Sequence, residues 1–122
     1  MKKWNEGSIV VIDDDQGILD SFDAMLGDDY RLFMVDNGSD ALELLSKQNF
    51  DLLFLDIKIP RPNGLEVLRW IRERGISTKV VIVTALPQEH YEEMAQQYGI
   101  YRYLRKPLDV DEVEEIASTV LH

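Results

Sequence analysis

Cysteine is absent from this chain of 122 residues. Disulfide bonds and thiolate-bound metal centres are therefore excluded, and with them the small disulfide-stabilised folds of secreted proteins. The same absence favours a reducing compartment, so we expect a cytoplasmic protein.

Basic residues are few relative to acidic ones. The chain has 13 Lys and Arg against 23 Asp and Glu, which gives a formal net charge of −10. A negative surplus of this size opposes contact with nucleic-acid phosphates and with anionic lipid surfaces. We therefore expect no direct nucleic-acid binding and no membrane association.

Long apolar runs are also missing. No stretch approaches the roughly 20 residues that a membrane-spanning helix needs, and residues 1–7 lack the apolar core of a signal peptide. The length and the hydrophobic content of 45% suffice for an ordinary core. We expect a single domain over residues 1–122 that includes a polar N-terminal lead at residues 1–7.

The strongest structural signal is the apolar run within Phe50–Pro60, which leads into Asp56. It predicts a strand over Asp51–Leu55 that is buried on both faces. The other predicted strands are Ser8–Ile12, Tyr30–Val35, Lys79–Val83 and Ile100–Leu104. Apolar stripes at helical spacing predict helices around residues 18–26, 41–45, 65–71, 88–98 and 113–121.

Strand and helix alternate five times along the chain, which predicts an α/β fold with helices on both faces of a parallel sheet. The flavodoxin-like doubly wound arrangement, with strand order 2-1-3-4-5, is the best match for five such units. In that order the carboxyl ends of the strands would gather polar residues at one edge of the sheet. These residues are Asp13, Asp14, Asp56, Thr84 and Lys106.

Three clustered carboxylates repel one another unless a cation neutralises them. A ligand set made only of oxygen suits Mg²⁺, which commonly bridges one or two carboxylates and a phosphoryl group. Asp56 is then the best candidate for a nucleophile that becomes an acyl phosphate. Lys106 and Thr84 would supply a positive charge and a hydroxyl donor to phosphoryl oxygens.

Each of these residues also has an ordinary structural interpretation. The run Asp13–Asp15 can cap a helix, Thr84 can simply end a strand, and Lys106 can be a solvated surface residue. Taken singly, the structural interpretation is the more common one. Jointly, an acidic pair after the first predicted strand, Asp56 after the third, Thr84 after the fourth and Lys106 after the fifth favour phosphoryl chemistry.

Four motifs resemble those of the receiver domains of two-component response regulators. They are Ile-Asp-Asp-Asp-Gln-Gly-Ile at 12–18, Leu-Asp-Ile-Lys-Ile-Pro-Arg-Pro-Asn-Gly at 55–64, Val-Thr-Ala at 83–85 and Tyr-Leu-Arg-Lys-Pro at 103–107. The resemblance runs from Ser8 to the C-terminus.

The resemblance implies a role for each matching residue. Asp13, Asp14 and Asp56, with the backbone carbonyl of Lys58, would bind Mg²⁺. Asp56 would take a phosphoryl group from a sensor histidine kinase or a histidine phosphotransfer protein, with Thr84 and Lys106 contacting that group. The bond Lys106-Pro107 would be cis.

The resemblance further implies a switch in which Thr84 moves inward on phosphorylation and Tyr103 follows it. The remodelled face would control a partner or an effector domain, and phosphorylation could drive dimerisation. Such a protein catalyses only its own phosphorylation and dephosphorylation, so we do not expect an enzyme. Two departures are Asp15, where many receivers have Glu, and Lys58, whose side chain bears on the lifetime of the phosphoryl group.

Three other readings are open. A haloacid-dehalogenase-like phosphatase also uses an Asp nucleophile and Mg²⁺, but it needs a second acid where Lys58 stands, and no cap domain is visible. A flavodoxin-type FMN carrier fits the fold, yet three aspartates would repel the flavin phosphate. A degenerate receiver that only docks partners conflicts with the intact set of Asp13, Asp14, Asp56, Thr84 and Lys106.

These residues do not indicate which effector such a switch would control. Because the last predicted helix reaches the C-terminus, we expect no DNA-binding, ATPase or enzymatic effector domain within the 122 residues. The chain would then be a stand-alone regulator or the receiver part of a longer protein.

Overall fold

The computed structural model describes residues 7–87 and 92–121, apart from the side chain of Met94. Over these residues the strands are β1 (Ser8–Ile12), β2 (Arg31–Val35), β3 (Leu52–Asp56), β4 (Lys79–Thr84) and β5 (Arg102–Arg105). The helices are α1 (Gln16–Leu26), α2 (Gly38–Lys47), α3 (Gly64–Glu73), α4 (Glu92–Tyr98) and α5 (Val110–Val120).

The strands form one parallel sheet of order β2-β1-β3-β4-β5. This confirms the predicted doubly wound α/β arrangement and its strand order. The central strand β3 is buried along its whole length, as expected for a strand with helices on both faces. No helix in the described part of the chain is both long enough and apolar enough to cross a membrane.

Several predicted boundaries differ from those observed. Strand β3 begins and ends one residue later than predicted, so Asp56 is its last residue, and β5 begins at Arg102 rather than at Ile100. The amides of Gly99 and Ile100 both donate to the Ala95 carbonyl, at 3.0 and 3.2 Å, and thereby close α4. Ile100 therefore belongs to the turn that ends α4, and β5 starts only after it.

Some predictions fall outside the described residues. The predicted helix at 88–98 is present over Glu92–Tyr98, while residues 88–91 are not described. The N-terminal lead at 1–7 is described only at Gly7.

The sheet separates two apolar cores. Leu53 and Leu55 of β3 face one core, whereas Leu52 and Phe54 face the other. In the second core the ring of Phe54 contacts that of Phe22 from α1, with centroids 4.8 Å apart. Each such side chain contributes about 1.5–3 kcal/mol when fully buried, so β3 is held firmly from both sides.

Polar side chains fix the starts of the helices. Asp15, Asn37 and Asp109 accept hydrogen bonds from the first turns of α1, α2 and α5. Asn63 forms a reciprocal capping box with Glu66 at the start of α3. Each cap is worth about 1 kcal/mol. Because these four helices begin shortly after the carboxyl ends of strands, the caps also fix the loops at that edge of the sheet.

Candidate functional site

The register of the sheet places the predicted site residues side by side. Ile12 pairs with Leu55, so Asp13 follows β1 at the level of Asp56. Asp56 pairs with Val83, and Thr84 is the next residue of β4. Thr84 pairs with Arg105, and the Lys106 amide donates to the Thr84 carbonyl at 2.8 Å. Four neighbouring strands thus deliver Asp13, Asp56, Thr84 and Lys106 to one edge.

Lys106 links two of the acids directly. Its Nζ lies 2.9 Å from Asp13 Oδ2 and 3.2 Å from Asp56 Oδ2. The Lys106 side chain is 21% exposed, whereas those of Asp13 and Asp56 are 2% and 7% exposed. An ammonium shared by two buried carboxylates is screened far less than a surface ion pair.

The pKa of Asp13 is raised, chiefly because its carboxylate is buried and also because of the charge of Asp56. The Asp15 amide, 2.9 Å from Asp13 Oδ1, and the Lys106 ammonium oppose this rise without cancelling it. For Lys106, burial alone would lower the pKa, but Asp13 and Asp56 outweigh it and hold the pKa above its ordinary value of 10.5. The lysine is therefore fully charged at neutral pH.

The acidic cluster has the chemistry of a hard-cation site. Oxygens of Asp13, Asp14 and Asp56 all lie within 4.8 Å of one another, with Asp14 exposed and the other two buried. Asp13 Oδ2 is buried and is neutralised there by its ion pair with Lys106 rather than by a backbone amide. A buried oxygen left in this state and an all-oxygen donor set both fit Mg²⁺.

The third acid of the run has a different position. Asp15 accepts the Gly17 amide at 2.8 Å and caps α1. It is not one of the three clustered carboxylates. The ordinary interpretation of an acidic run as a helix cap thus holds for Asp15 alone.

Asp56 is constrained at both of its oxygens. The Lys58 amide donates to Asp56 Oδ1 at 3.2 Å, and Lys106 donates to Oδ2. The Lys58 residue is exposed, so its contact with Asp56 is made by the backbone. A carboxylate held at both ends keeps its orientation without help from solvent.

Thr84 and Tyr103 meet at the same short segment after β4. Thr84, only 2% exposed, accepts the Leu86 amide at 3.2 Å through its hydroxyl oxygen. The Tyr103 hydroxyl donates to the Leu86 carbonyl at 2.5 Å. The backbone of Leu86 therefore connects the two residues, a link that the sequence alone does not reveal.

Two X-Pro bonds at this edge of the sheet are cis. Lys106-Pro107, which follows β5, is cis as the resemblance implies, and Arg61-Pro62, in the loop after β3, is cis as well. Gly64 donates to the Ile57 carbonyl at 2.9 Å, and a Cβ there would lie 2.3 Å from the Asp56 carbonyl oxygen. The sequence indicates the turn at Gly64 only through the Pro-Asn-Gly at 62–64, which precedes an apolar helical stripe.

Comparison with known proteins decides the family. Residues 9–118 match the model of the response regulator receiver domain. The chain belongs to this family. Receiver domains of two-component systems interact with histidine kinases or histidine phosphotransfer proteins, and they generally depend on Mg²⁺.

Two relatives illustrate the range of the family. The receiver domain is 32% identical over 106 residues to the transcriptional regulatory protein DltR of Streptococcus agalactiae, covering 86% of this chain and 47% of DltR. It is 29% identical over 114 residues to sporulation initiation phosphotransferase F of Bacillus subtilis, covering 93% and 92%. The chain thus spans about half the length of DltR or most of the length of the phosphotransferase.

A solved structure agrees with the fold. The receiver domain of Francisella response regulator 1452 superposes with a TM-score of 0.87 and 25% sequence identity. The superposition covers 95% of this chain and 97% of the other.

Proposed function

We propose that this receiver domain is a phosphorylation switch in which Asp56 accepts the phosphoryl group. The observation that carries the proposal is the contact of the Lys106 ammonium with both Asp13 and Asp56, at 2.9 and 3.2 Å. A residue 50 positions along the chain from Asp56 is held there by the adjacent strands. Asp56 is thereby buried, oriented at both of its oxygens and partly neutralised.

In the proposed reaction, an oxygen of Asp56 attacks the phosphorus of a phosphohistidine on a sensor kinase or phosphotransfer protein. A P–O bond forms while the P–N bond breaks, and the electron pair of the broken bond returns to the imidazole nitrogen. Lys106 stabilises the negative charge on the transferred group, and the Thr84 hydroxyl can donate to one of its oxygens. The lysine needs no proton transfer because it is charged throughout.

Asp13, Asp14 and Asp56, with the backbone of Lys58, are the residues that would hold Mg²⁺. When bound, the ion neutralises the clustered carboxylates and the phosphoryl oxygens. Asp13 Oδ2, a buried oxygen whose partner is the Lys106 ammonium, supports this assignment.

We further propose that Thr84 and Tyr103 convert phosphorylation into a change of surface. Both residues contact the Leu86 backbone, so a movement of Thr84 towards a phosphoryl group would alter the position of the segment that binds Tyr103. The surface that changes is formed by α4, β5 and α5. Its role would be to control a partner or an effector domain.

The protein would act on itself rather than on a separate substrate. Lys58 stands two residues after Asp56, where a haloacid-dehalogenase-like phosphatase has a second acid. Catalysis by this receiver domain would be limited to its own phosphorylation and dephosphorylation. Release of many phosphates per protein molecule from phosphomonoesters would contradict this and favour the phosphatase.

The decisive experiment incubates the chain with Mg²⁺ and acetyl phosphate and follows its intact mass. The wild type should gain one phosphoryl group, and both Asp56→Asn and removal of Mg²⁺ with EDTA should abolish the gain. Asp20→Asn is the matched control, since Asp20 lies on α1 and contacts Gln16. Equal labelling of wild type and Asp56→Asn would exclude Asp56 as the acceptor.

A further inference from the structure

The loop between β3 and α3, residues 57–63, lies directly against the first residue of α2. The Gly38 amide donates to the Pro60 carbonyl at 3.0 Å. A Cβ placed on Gly38 would lie 1.7 Å from the Pro62 carbonyl oxygen and 2.7 Å from its carbonyl carbon. These are backbone atoms, which cannot rotate away as a side chain can. Any residue larger than glycine must therefore move the loop or the helix.

The position of this loop matters for Asp56. Its second residue, Lys58, donates its amide to Asp56 Oδ1 at 3.2 Å. Its far end is closed by Gly64, whose amide bonds to the Ile57 carbonyl at 2.9 Å. Between these points, the bond from Gly38 to Pro60 connects the loop to a helix that has no residue in the site.

The start of α2 is well suited to be a fixed support. The first amides of a helix have no partner within it, and the Pro60 carbonyl satisfies that of Gly38. Asn37 stiffens the same turn, since its side chain accepts the Asp40 amide and donates to the carboxylates of Asp36 and Asp40, each at 2.8 Å. The support is therefore made of backbone and cap, with no flexible side chain between helix and loop.

We propose that Gly38 is a positioning residue for the phosphorylation site. Its lack of a side chain lets loop 57–63 rest on the start of α2, which places the Lys58 backbone against Asp56. This inference rests on the proposed function, because Asp56 and the Lys58 backbone matter there as the acceptor and as part of the Mg²⁺ site. Gly38 touches neither the acceptor nor the ion.

The test compares Gly38→Ala with Gly27→Ala. The control also forces a methyl group against backbone, 2.6 Å from the Asp23 carbonyl oxygen, but at the end of α1 and away from the site. For each variant we would measure the Mg²⁺ affinity by NMR titration, the Mg²⁺ concentration for half-maximal labelling by acetyl phosphate, and thermal unfolding. The amide shifts of residues 56–63 without Mg²⁺ give a readout independent of phosphorylation.

Gly38→Ala should shift the amide resonances of residues 56–63 and weaken Mg²⁺ binding about tenfold, the usual cost of losing a group that orients metal ligands. Gly27→Ala should lower the unfolding temperature and leave both readouts unchanged. Unchanged Mg²⁺ affinity and loop shifts in a folded Gly38→Ala protein would overturn the inference. Equal weakening in the control would also overturn it, by showing a general effect of instability.

Asn37→Ala keeps the inference testable if Gly38→Ala does not fold. It removes the cap without adding bulk, and it should weaken Mg²⁺ binding in the same direction by a smaller factor; an unchanged affinity would count against the proposal. Failure of the proposed function is recognised separately. In that case the wild type would not be labelled by acetyl phosphate, while the amide shifts would still report on the contact between Gly38 and the loop.

Discussion

At the scale of single residues, the charged carboxylate of Asp13 lowers the stability of the metal-free fold. Its carboxylate is buried, lies near Asp56 and has one oxygen without a hydrogen bond. Its raised pKa means that the folded chain binds a proton at this site more tightly than the unfolded chain does. The charged form of Asp13 therefore destabilises the metal-free fold at pH values above its folded pKa.

We predict that Asp13→Asn stabilises the metal-free protein at neutral pH by roughly 1 kcal/mol, as relief of functional strain often does. The gain should shrink as the pH falls towards the ordinary carboxyl value of 3.8, because the wild-type Asp13 then takes up its proton. Urea unfolding in EDTA at several pH values measures both effects.

The control for this prediction is Asp14→Asn. Asp14 belongs to the same cluster but is exposed, so its substitution should change the free energy of unfolding much less. A loss of stability in Asp13→Asn at neutral pH would show that the ion pair with Lys106 outweighs the burial of the charge.

At the scale of elements, the end of α4 is fastened by one side chain of α3. Arg72 donates from Nε to the Tyr98 carbonyl and from Nη1 to the Ile76 carbonyl, both at 2.7 Å, and from Nη2 to the Gly99 carbonyl at 3.4 Å. The planar guanidinium can serve three carbonyls at once, which an ammonium cannot do with the same geometry. Within the proposed switch surface, the C-terminal end of α4 is thus held by α3.

We predict that Arg72→Ala lowers the free energy of unfolding by about 1–3 kcal/mol, because three carbonyls lose a charged donor. Amide hydrogen exchange should rise at residues 99–101, which follow the released end of α4. Arg69→Ala is the matched control, since Arg69 lies on the same helix and is exposed. Equal exchange in the two variants would argue against a fastening role.

A second prediction concerns the segment between β4 and α4. Tyr103→Phe removes the hydroxyl that donates to the Leu86 carbonyl, at a cost of about 1 kcal/mol. Hydrogen exchange should rise at Ala85 and Leu86. Tyr101→Phe should leave it unchanged, because Tyr101 is exposed and its ring lies under the Lys79 ammonium, 5.3 Å from the ring centroid. Protection of Leu86 that survives in Tyr103→Phe would contradict the proposed connection.

The sequence predicts the elements better than their ends. Alternating apolar runs and stripes are enough to assign the strands, the described helices and the strand order, because burial on both faces leaves β3 few alternatives. The prediction that Ile100 belongs to β5 is wrong. The sequence does not distinguish an apolar residue that pairs with a neighbouring strand from one that closes the preceding helix. The role of Arg72 was not predictable, since two of its partner carbonyls lie 26 and 27 positions away.

For the site as well, the sequence predicts some features and not others. The predicted strand order brings four residues together, and the structure places them at one edge of the sheet: Asp13, Asp56, Thr84 and Lys106. The support from Gly38 was missed because it joins two backbone segments, and no side-chain pattern records such a contact.

At the scale of the whole molecule, the net charge opposes association between copies of the chain. The net charge is −10, and phosphorylation of Asp56 would make it more negative. Two copies therefore repel each other at low ionic strength, and salt weakens this repulsion beyond a Debye length of about 8 Å in 0.15 M salt. Any dimer formed through the α4, β5 and α5 surface should be favoured by salt.

We predict that Mg²⁺ with beryllofluoride, a mimic of the phosphoryl group, increases the sedimentation coefficient of the wild type through dimer formation. The increase should grow with protein concentration and with moderate salt, and it should be absent in Asp56→Asn. An unchanged sedimentation coefficient in the wild type under all these conditions would refute phosphorylation-dependent dimerisation.

The contact of Lys106 with Asp13 joins the residue that follows the first strand of the sheet to the residue that follows the fifth. During synthesis, Asp13 and Asp56 leave the ribosome long before Lys106 does, so a nascent chain holds its acids without their shared cation. Competence to accept a phosphoryl group would then arise only when nearly the whole domain has been made and has folded. The site itself would thus prevent signalling by truncated or half-folded copies.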